Sequence, residues 1–243
     1  MMAEEIYQEL VRQIILGVLR PRERLVEADL SQRLGVSRTL LREMFQRLEG
    51  VGLVTLNPNR GAVVRDFNPK EIEDLYFVRS LLERAVAPLI EEQVTAEDLE
   101  QLNALNRQFE DACERQDMAA MIWTNIAFHR RMSQVSGNPF LCRLLDTSRL
   151  QTNQIRYIAW TNRDRVRESR QDHQDMLAAL LRRDAAAFEA ALFRHVGGGK
   201  KDYLEIYSHH YQETPAGPQA GRRRGETASP QQSSVGGVAG GLK

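Results

Sequence analysis

His129, His173 and His195 are the residues of this 243-residue chain whose types and spacing could hold a metal ion, with Asn125 close by. Asn125 and His129 lie four residues apart, so on one helix they share a face. His173 and His195 fall on what the pattern reads as the last two helices. Three imidazoles from three helices can converge on a metal in the core of a bundle. A second reading is structural: His129 closes an apolar stripe of Ile122, Ile126 and Phe128, and the other two histidines are exposed. A third is catalytic, since three histidines with an open position also describe a hydrolytic zinc site. Such a site needs a base beside the metal. Asp172 is the nearest carboxylate in sequence, but on a helix it diverges from His173 by about 100° and makes a poor partner.

The elements that must position these groups read as six helices at about 70–92, 96–115, 118–136, 139–160, 163–182 and 185–207. Thr95, Gly137-Asn138-Pro139, Asn162 and Asp184 punctuate them. Asn68 is a candidate cap and Pro69 suits a first helical position. Arg149 and Arg156 share a helical face and can reach inward, although a solvated face is the simpler account of both. Trp123, Tyr157 and Trp160 read as core or pocket wall. Gly197-Gly198-Gly199 is expected to interrupt the last helix.

Ahead of this bundle the pattern differs. Glu27 to Leu34 reads as a short helix, Gly35-Val36 as a turn, and Ser37 as the cap of a second helix. In that second helix Leu40, Leu41, Met44, Phe45 and Leu48 fall on one side. Arg38, Thr39, Arg42 and Gln46 fall on the other, with nothing obvious to neutralise the arginines. The segments 53–56 and 62–65 read as strands joined by Asn57-Pro58-Asn59-Arg60-Gly61, a hairpin wing whose glycine allows close approach to a groove. Helix, turn, helix and wing in this order place the basic face where it can enter the major groove of double-stranded DNA. The expected contacts are Arg38, Thr39, Arg42, Gln46, Arg60 and Gly61. A single such helix reads few base pairs, so a homodimer on a short palindromic operator is expected.

Gly17-Val-Leu-Arg-Pro21, Leu34-Gly-Val-Ser-Arg-Thr39, Leu41-Arg-Glu43, Arg47-Leu-Glu49, Gly52-Leu-Val54 and Asn59-Arg-Gly61 together resemble the GntR family of bacterial transcription regulators. The likeness covers about the first 67 residues. Arg22 stands where the family usually has Gly, Leu40 where it often has Pro, and Met44-Phe45 where it often has Ala-Leu.

The rest, from about 70 to 196, is similar to the FCD effector-binding domain of the FadR subfamily. The likeness rests on Val78-Arg-Ser-Leu-Leu-Glu83, Asn125-Ile-Ala-Phe-His129, Ser136-Gly-Asn-Pro-Phe-Leu141, His173, Ala178-Ala-Leu180, Asp184, Ala187 and His195. The resemblance implies a divalent metal on the histidines, a small organic acid completing its shell, and Arg79 as a carboxylate clamp, with Arg149 and Arg156 as further candidates. In metal-containing members the first ligand is Asp. Asn125 offers an oxygen without the charge, so the ion depends more on an anionic effector. Some relatives bind no metal and sense a larger ligand, which is the alternative here. The fused DNA-binding head argues against an enzyme.

The expected fold is therefore mainly α: a winged helix-turn-helix over 1–67, then an all-α FCD-like bundle over 68–208 that binds effector and dimerises. A tail over 209–243, rich in Gly, Pro, Gln and Ser, is expected to be disordered. Lys plus Arg and Asp plus Glu balance at 33 each, so positive charge must be local, which favours site-specific binding over nonspecific coating of DNA. Two cysteines without a CxxC pair suit a reducing cytosol. No apolar run approaches the ~20 residues needed to span a bilayer, and the N-terminus lacks a signal-peptide layout. A cytoplasmic protein is expected.

Overall fold

The computed structural model describes residues 2–57 and 61–212. Arg60, the hairpin tip and the segment from 213 onward, with its arginine triplet, lie outside the described residues.

The N-terminal part contains α1 (Ala3–Ile15), β1 (Arg24–Leu25), α2 (Glu27–Leu34), α3 (Arg38–Gly50), β2 (Val54–Asn57) and β3 (Gly61–Val64). The strands form an antiparallel sheet in the order β1-β3-β2, with Leu25 opposite Ala62 and Leu56 also opposite Ala62 on its other side. Sequence reading supplied α2, α3 and the hairpin but neither α1 nor β1. The signal for α1 was present: Ile6, Leu10 and Ile14 recur every fourth residue, and all three are fully buried. Ser37 caps α3, its hydroxyl accepting from Leu40 N at 3.2 Å.

The C-terminal part is six helices: α4 (Pro69–Gln93), α5 (Ala96–Glu114), α6 (Met118–Gln134), α7 (Pro139–Ala159), α8 (Arg163–Leu181) and α9 (Ala185–Gln212). Their starts follow from capping chemistry. Asn68 and Glu71 form a capping box with Pro69 inside it, and Thr95 and Asp98 form another. Asn138, Asn162 and Asp184 accept from backbone N–H groups at the starts of α7, α8 and α9. α9 packs on α8 and α4, and α5 on α6 and α8.

One expectation is overturned. The three glycines do not interrupt α9, which runs helical through them to Gln212. Gly198 is where neighbouring groups fill the space a side chain would need: a Cβ there would fall on the Arg165 guanidinium. The helix is held from outside by packing, which overrides weak propensity.

The two parts share a core. Phe109, Ala112, Met121, Ile122 and Trp160 cluster with Ile14, Leu48, Leu53 and the other apolar residues of the winged helix. A second cluster fills the bundle between α4, α8 and α9.

Candidate functional site

α6 buries a stripe that includes Met121, Ile122, Asn125, Phe128, His129 and Met132, so the polar pair travels into the core with the apolar groups. α8 brings His173 and α9 brings His195 to the same point. His129 Nε2 lies 2.9 Å from His195 Nε2 and 3.3 Å from His173 Nε2, and all three rings are at most 3 % exposed. One nitrogen from each falls within 4.8 Å of the others. Burial, followed by the charges of neighbouring histidines and arginines, pushes all three imidazoles well below the ordinary histidine range. They are neutral at pH 7, the state that ligates a metal.

The outer partners match that role. His173 Nδ1 meets Asn106 Oδ1 at 3.2 Å, which makes Nδ1 the donor and Nε2 the nitrogen that carries the lone pair. His195 Nδ1 lies 3.6 Å from Asp172 Oδ2. Asp172 therefore faces His195 across the α8–α9 interface. Among the described residues, both amide atoms of Asn125 and the Nδ1 of His129 are buried without a hydrogen-bond partner. A stranded buried amide costs about 1–3 kcal/mol, and the Asn125 oxygen, one turn from His129 on α6 and bordering the same cavity, suits the donor set of a divalent cation.

The arginines differ from one another. Glu83, fully buried, accepts from Arg149 Nη2 through both oxygens at 3.1 Å and from Arg79 Nε at 3.4 Å. Arg79 Nη1 also donates to Thr152 Oγ1 at 2.9 Å. Arg79 is thus tied to Glu83 and Thr152 and is not among the residues lining the cavity described below, while its Nη2 is buried without a hydrogen-bond partner among the described residues. Arg149 Nη1 donates to the carbonyl of His129 at 2.9 Å and to Ser133 Oγ. Arg156 is 9 % exposed, lies 5.4 Å from the Trp160 ring centroid and has no carboxylate or hydrogen-bond partner among the described residues. Burial, reinforced by repulsion from Arg79, lowers its pKa to about 9. The solvated-face account of Arg149 and Arg156 is thereby overturned. A signal existed: Arg149, Thr152, Asn153 and Arg156 recur at core spacing beside Leu145 and Ile155.

A cavity of about 420 Å³ opens between α6 and α7, lined by Asn125, His129, Arg149, Asn153 and Arg156. Its far wall is α1 of the winged helix, through Gln8 and Val11. α7 also faces the winged helix directly. Gln151 Nε2 donates to Val51 O at 2.9 Å, and Gln154 Nε2 to Arg65 O at 3.0 Å. Gly17, at φ 66°, leaves room for the Tyr157 ring. From α9, Tyr203 donates to Phe67 O at 3.0 Å and so holds the segment joining the two parts.

On the winged helix, Arg38, Thr39, Arg42 and Gln46 are exposed along α3. Arg38, Arg42 and Gln46, with Glu27, Asn57 and Gly61, border a groove of about 800 Å³ between α3, the start of α2 and the wing; Thr39 lies outside its lining. Gly61 takes φ 81°, and a Cβ there would press on the Leu25 carbonyl. Contrary to the expectation from sequence, the arginine face has a neutralising group. Glu27 accepts from Arg42 Nε at 2.8 and 2.9 Å.

Comparison with known proteins agrees with this architecture. The profile of the bacterial regulatory proteins of the gntR family matches residues 2–64, and that of the FCD domain matches 74–198. The chain is 26% identical over 193 residues to the HTH-type transcriptional repressor RspR of Escherichia coli K12, covering 79% of this chain and 85% of that protein. It is 30% identical over 190 residues to the Nta operon transcriptional regulator of Aminobacter aminovorans, covering 77% and 87%. Among solved structures, E. coli McbR/YncC shares the fold with a TM-score of 0.76 at 24% identity, over 84% of this chain and 98% of that one. No helix among the described residues is long and apolar enough to cross a membrane. A winged helix-turn-helix joined to an FCD domain, with relatives that are transcriptional regulators, makes this chain a member of the GntR family of DNA-binding transcription regulators.

Proposed function

We propose that this regulator is a cytoplasmic homodimer that binds a short palindromic operator and changes its DNA affinity when a small organic acid binds at a metal site in the helical part. The observation that carries the reading is the meeting of three neutral histidine nitrogens beside a stranded Asn125 amide, at the edge of a cavity walled by α1 of the DNA-binding part. His129, His173 and His195 would hold the ion, with Asn125 as a fourth, uncharged donor. The ion would supply a Lewis-acid docking point for a carboxylate oxygen.

The chain's own residues do the rest. Asn106 fixes the tautomer of His173, Asp172 faces His195, and Arg149 braces the His129 carbonyl. On the DNA side, Arg38, Thr39, Arg42 and Gln46 reach base edges or phosphates from α3, with Gly61, and by proposal Arg60, on the wing. Dimerisation is supported by an exposed apolar face. Phe77 and Leu81 on α4, and Phe140 and Leu144 on α7, are each one turn apart and more than half exposed, on two helices that pack together. α7 carries the signal, since one side borders the cavity and the other bonds Val51 and Arg65. Half-site spacing is geometric, so a small rotation of the two heads costs several kcal/mol of DNA affinity.

The test is elemental mass spectrometry of protein purified without affinity tag or chelator, beside a His129→Ala control. About one divalent ion per chain, lost in the control, is the expected result. No metal after incubation with zinc, nickel or manganese would overturn the metal reading and leave a metal-independent ligand in its place.

A further inference from the structure

Resting on that metal-and-carboxylate reading, we infer that the effector is a short-chain dicarboxylate, one end at the histidine centre and the other on Arg156. The charge around the three imidazoles demands it. The fully or nearly buried ionic groups among the described residues are four arginines, Arg79, Arg149, Arg156 and Arg165, against two carboxylates, Glu83 and Asp172. Glu83 is consumed by Arg79 and Arg149. Asp172 and the half-buried Asp202 face Arg165, and Asp172 also binds Arg194. Arg156 is left over.

A buried guanidinium without an anion is costly, and proteins pair such groups or leave them for a ligand. Arg156 borders the same cavity as Asn125 and His129, and a smaller adjoining one together with His195. It is positioned to meet a ligand at the centre, not at a remote surface. Asn153, on the same wall and 3 % exposed, has no side-chain hydrogen bond among the described residues and offers an amide to the same occupant.

Asn125 sharpens the requirement. With an amide there, a divalent ion on the three histidines keeps its full double charge. One carboxylate neutralises half of that and nothing of Arg156. A dianion answers both, and its second carboxylate finds a planar fork suited to bidentate binding. The cavity of about 420 Å³ is within the ordinary range for small-molecule sites.

The experiment is titration calorimetry on full-length, zinc-loaded protein with malonate, succinate and glutarate against acetate, propionate and butyrate, repeated with inorganic phosphate. The tightest dicarboxylate is expected to bind about 10- to 100-fold better than any monocarboxylate, the worth of one charge-assisted hydrogen-bonded pair. In Arg156→Met that preference should vanish while monocarboxylate affinity stays. Arg156→Lys, which keeps the charge and loses the fork, should retain part of it. Equal binding of the two acid classes, or a preference that survives Arg156→Met, overturns the proposal and leaves the metal-and-carboxylate reading standing. Phosphate binding as tightly as the best dicarboxylate also overturns it, in favour of a compact inorganic or phosphorylated anion. If no acid binds with zinc present, the underlying reading fails and this proposal with it.

Discussion

Arg165 of α8 occupies the place where Gly198 of α9 would carry a side chain. From that notch its Nη2 donates to the carbonyl of His195 at 3.1 Å, and its Nη1 to Glu168 at 2.7 Å. The glycine run thus positions an arginine against the backbone of a candidate metal ligand. Gly198→Ala should displace the guanidinium and destabilise the protein by about 1–3 kcal/mol, the cost of stranding a buried polar group. Gly197, exposed in the same helix with nothing near its would-be Cβ, should behave oppositely. Gly197→Ala should stabilise by up to about 1 kcal/mol through helix propensity. Urea denaturation of both variants checks the pair, and equal effects would remove the notch as the reason for Gly198.

Much of this was legible in advance, and the failures share a cause. Helix starts depend on one or two local residues, so Asn68, Thr95, Asn162 and Asp184 announced them. The histidines declared themselves by type and helical placement. The state of an arginine depends on what faces it from another helix. Sequence could not show that Glu83 ties down Arg79 and Arg149, or that no carboxylate among the described residues answers Arg156. Adjacency in sequence gives Asp172 no role beside His173, and its meeting with His195 requires the packing of α8 on α9. The glycine run read as a break because the filling group, Arg165, comes from another helix.

Glu27 and Arg42 form an ion pair at the edge of the DNA-facing groove. Arg42 is well exposed, so the pair contributes little to stability. Its influence is on DNA. Glu27 repels phosphate and restrains a fork that would otherwise grip any backbone. Glu27→Gln should raise affinity for unrelated duplex several-fold at low salt and steepen the salt dependence by about one unit. Fluorescence anisotropy across a salt series with random-sequence DNA reads this directly. Unchanged nonspecific binding would mean that Arg42 is already committed elsewhere.

Asn125 leaves a divalent ion without an anionic protein ligand, so metal and acid should bind cooperatively. Asn125→Asp should tighten zinc on the order of tenfold or more in the absence of any acid, through the added Coulomb attraction less the cost of desolvating the carboxylate. The same change should shrink the factor by which succinate improves zinc affinity, because the two anions then compete for one charge. Zinc titrations of both proteins with and without saturating succinate give the two factors. Coupling of equal size in wild type and variant would show that the amide does not set it.

The coupling itself should run through α7, whose two faces do different work. Arg149, Asn153 and Arg156 border the cavity, while Gln151 and Gln154 bond the backbone of Val51 and Arg65. The double change Gln151→Ala with Gln154→Ala removes two neutral hydrogen bonds, each worth about 1 kcal/mol net. None of the cavity-lining groups is touched. Acid affinity of the DNA-free, zinc-loaded protein should therefore stay within about twofold. The factor by which zinc and acid together change affinity for a selected operator should fall by about 3- to 10-fold. By linkage the operator's effect on acid affinity must fall by the same factor, so the two titrations check each other. Loss of acid binding in the double variant would mean that α7 needs the winged helix to hold its shape. Full retention of the coupling would shift the route to the α1 wall of the cavity or to Tyr203 on the connecting segment.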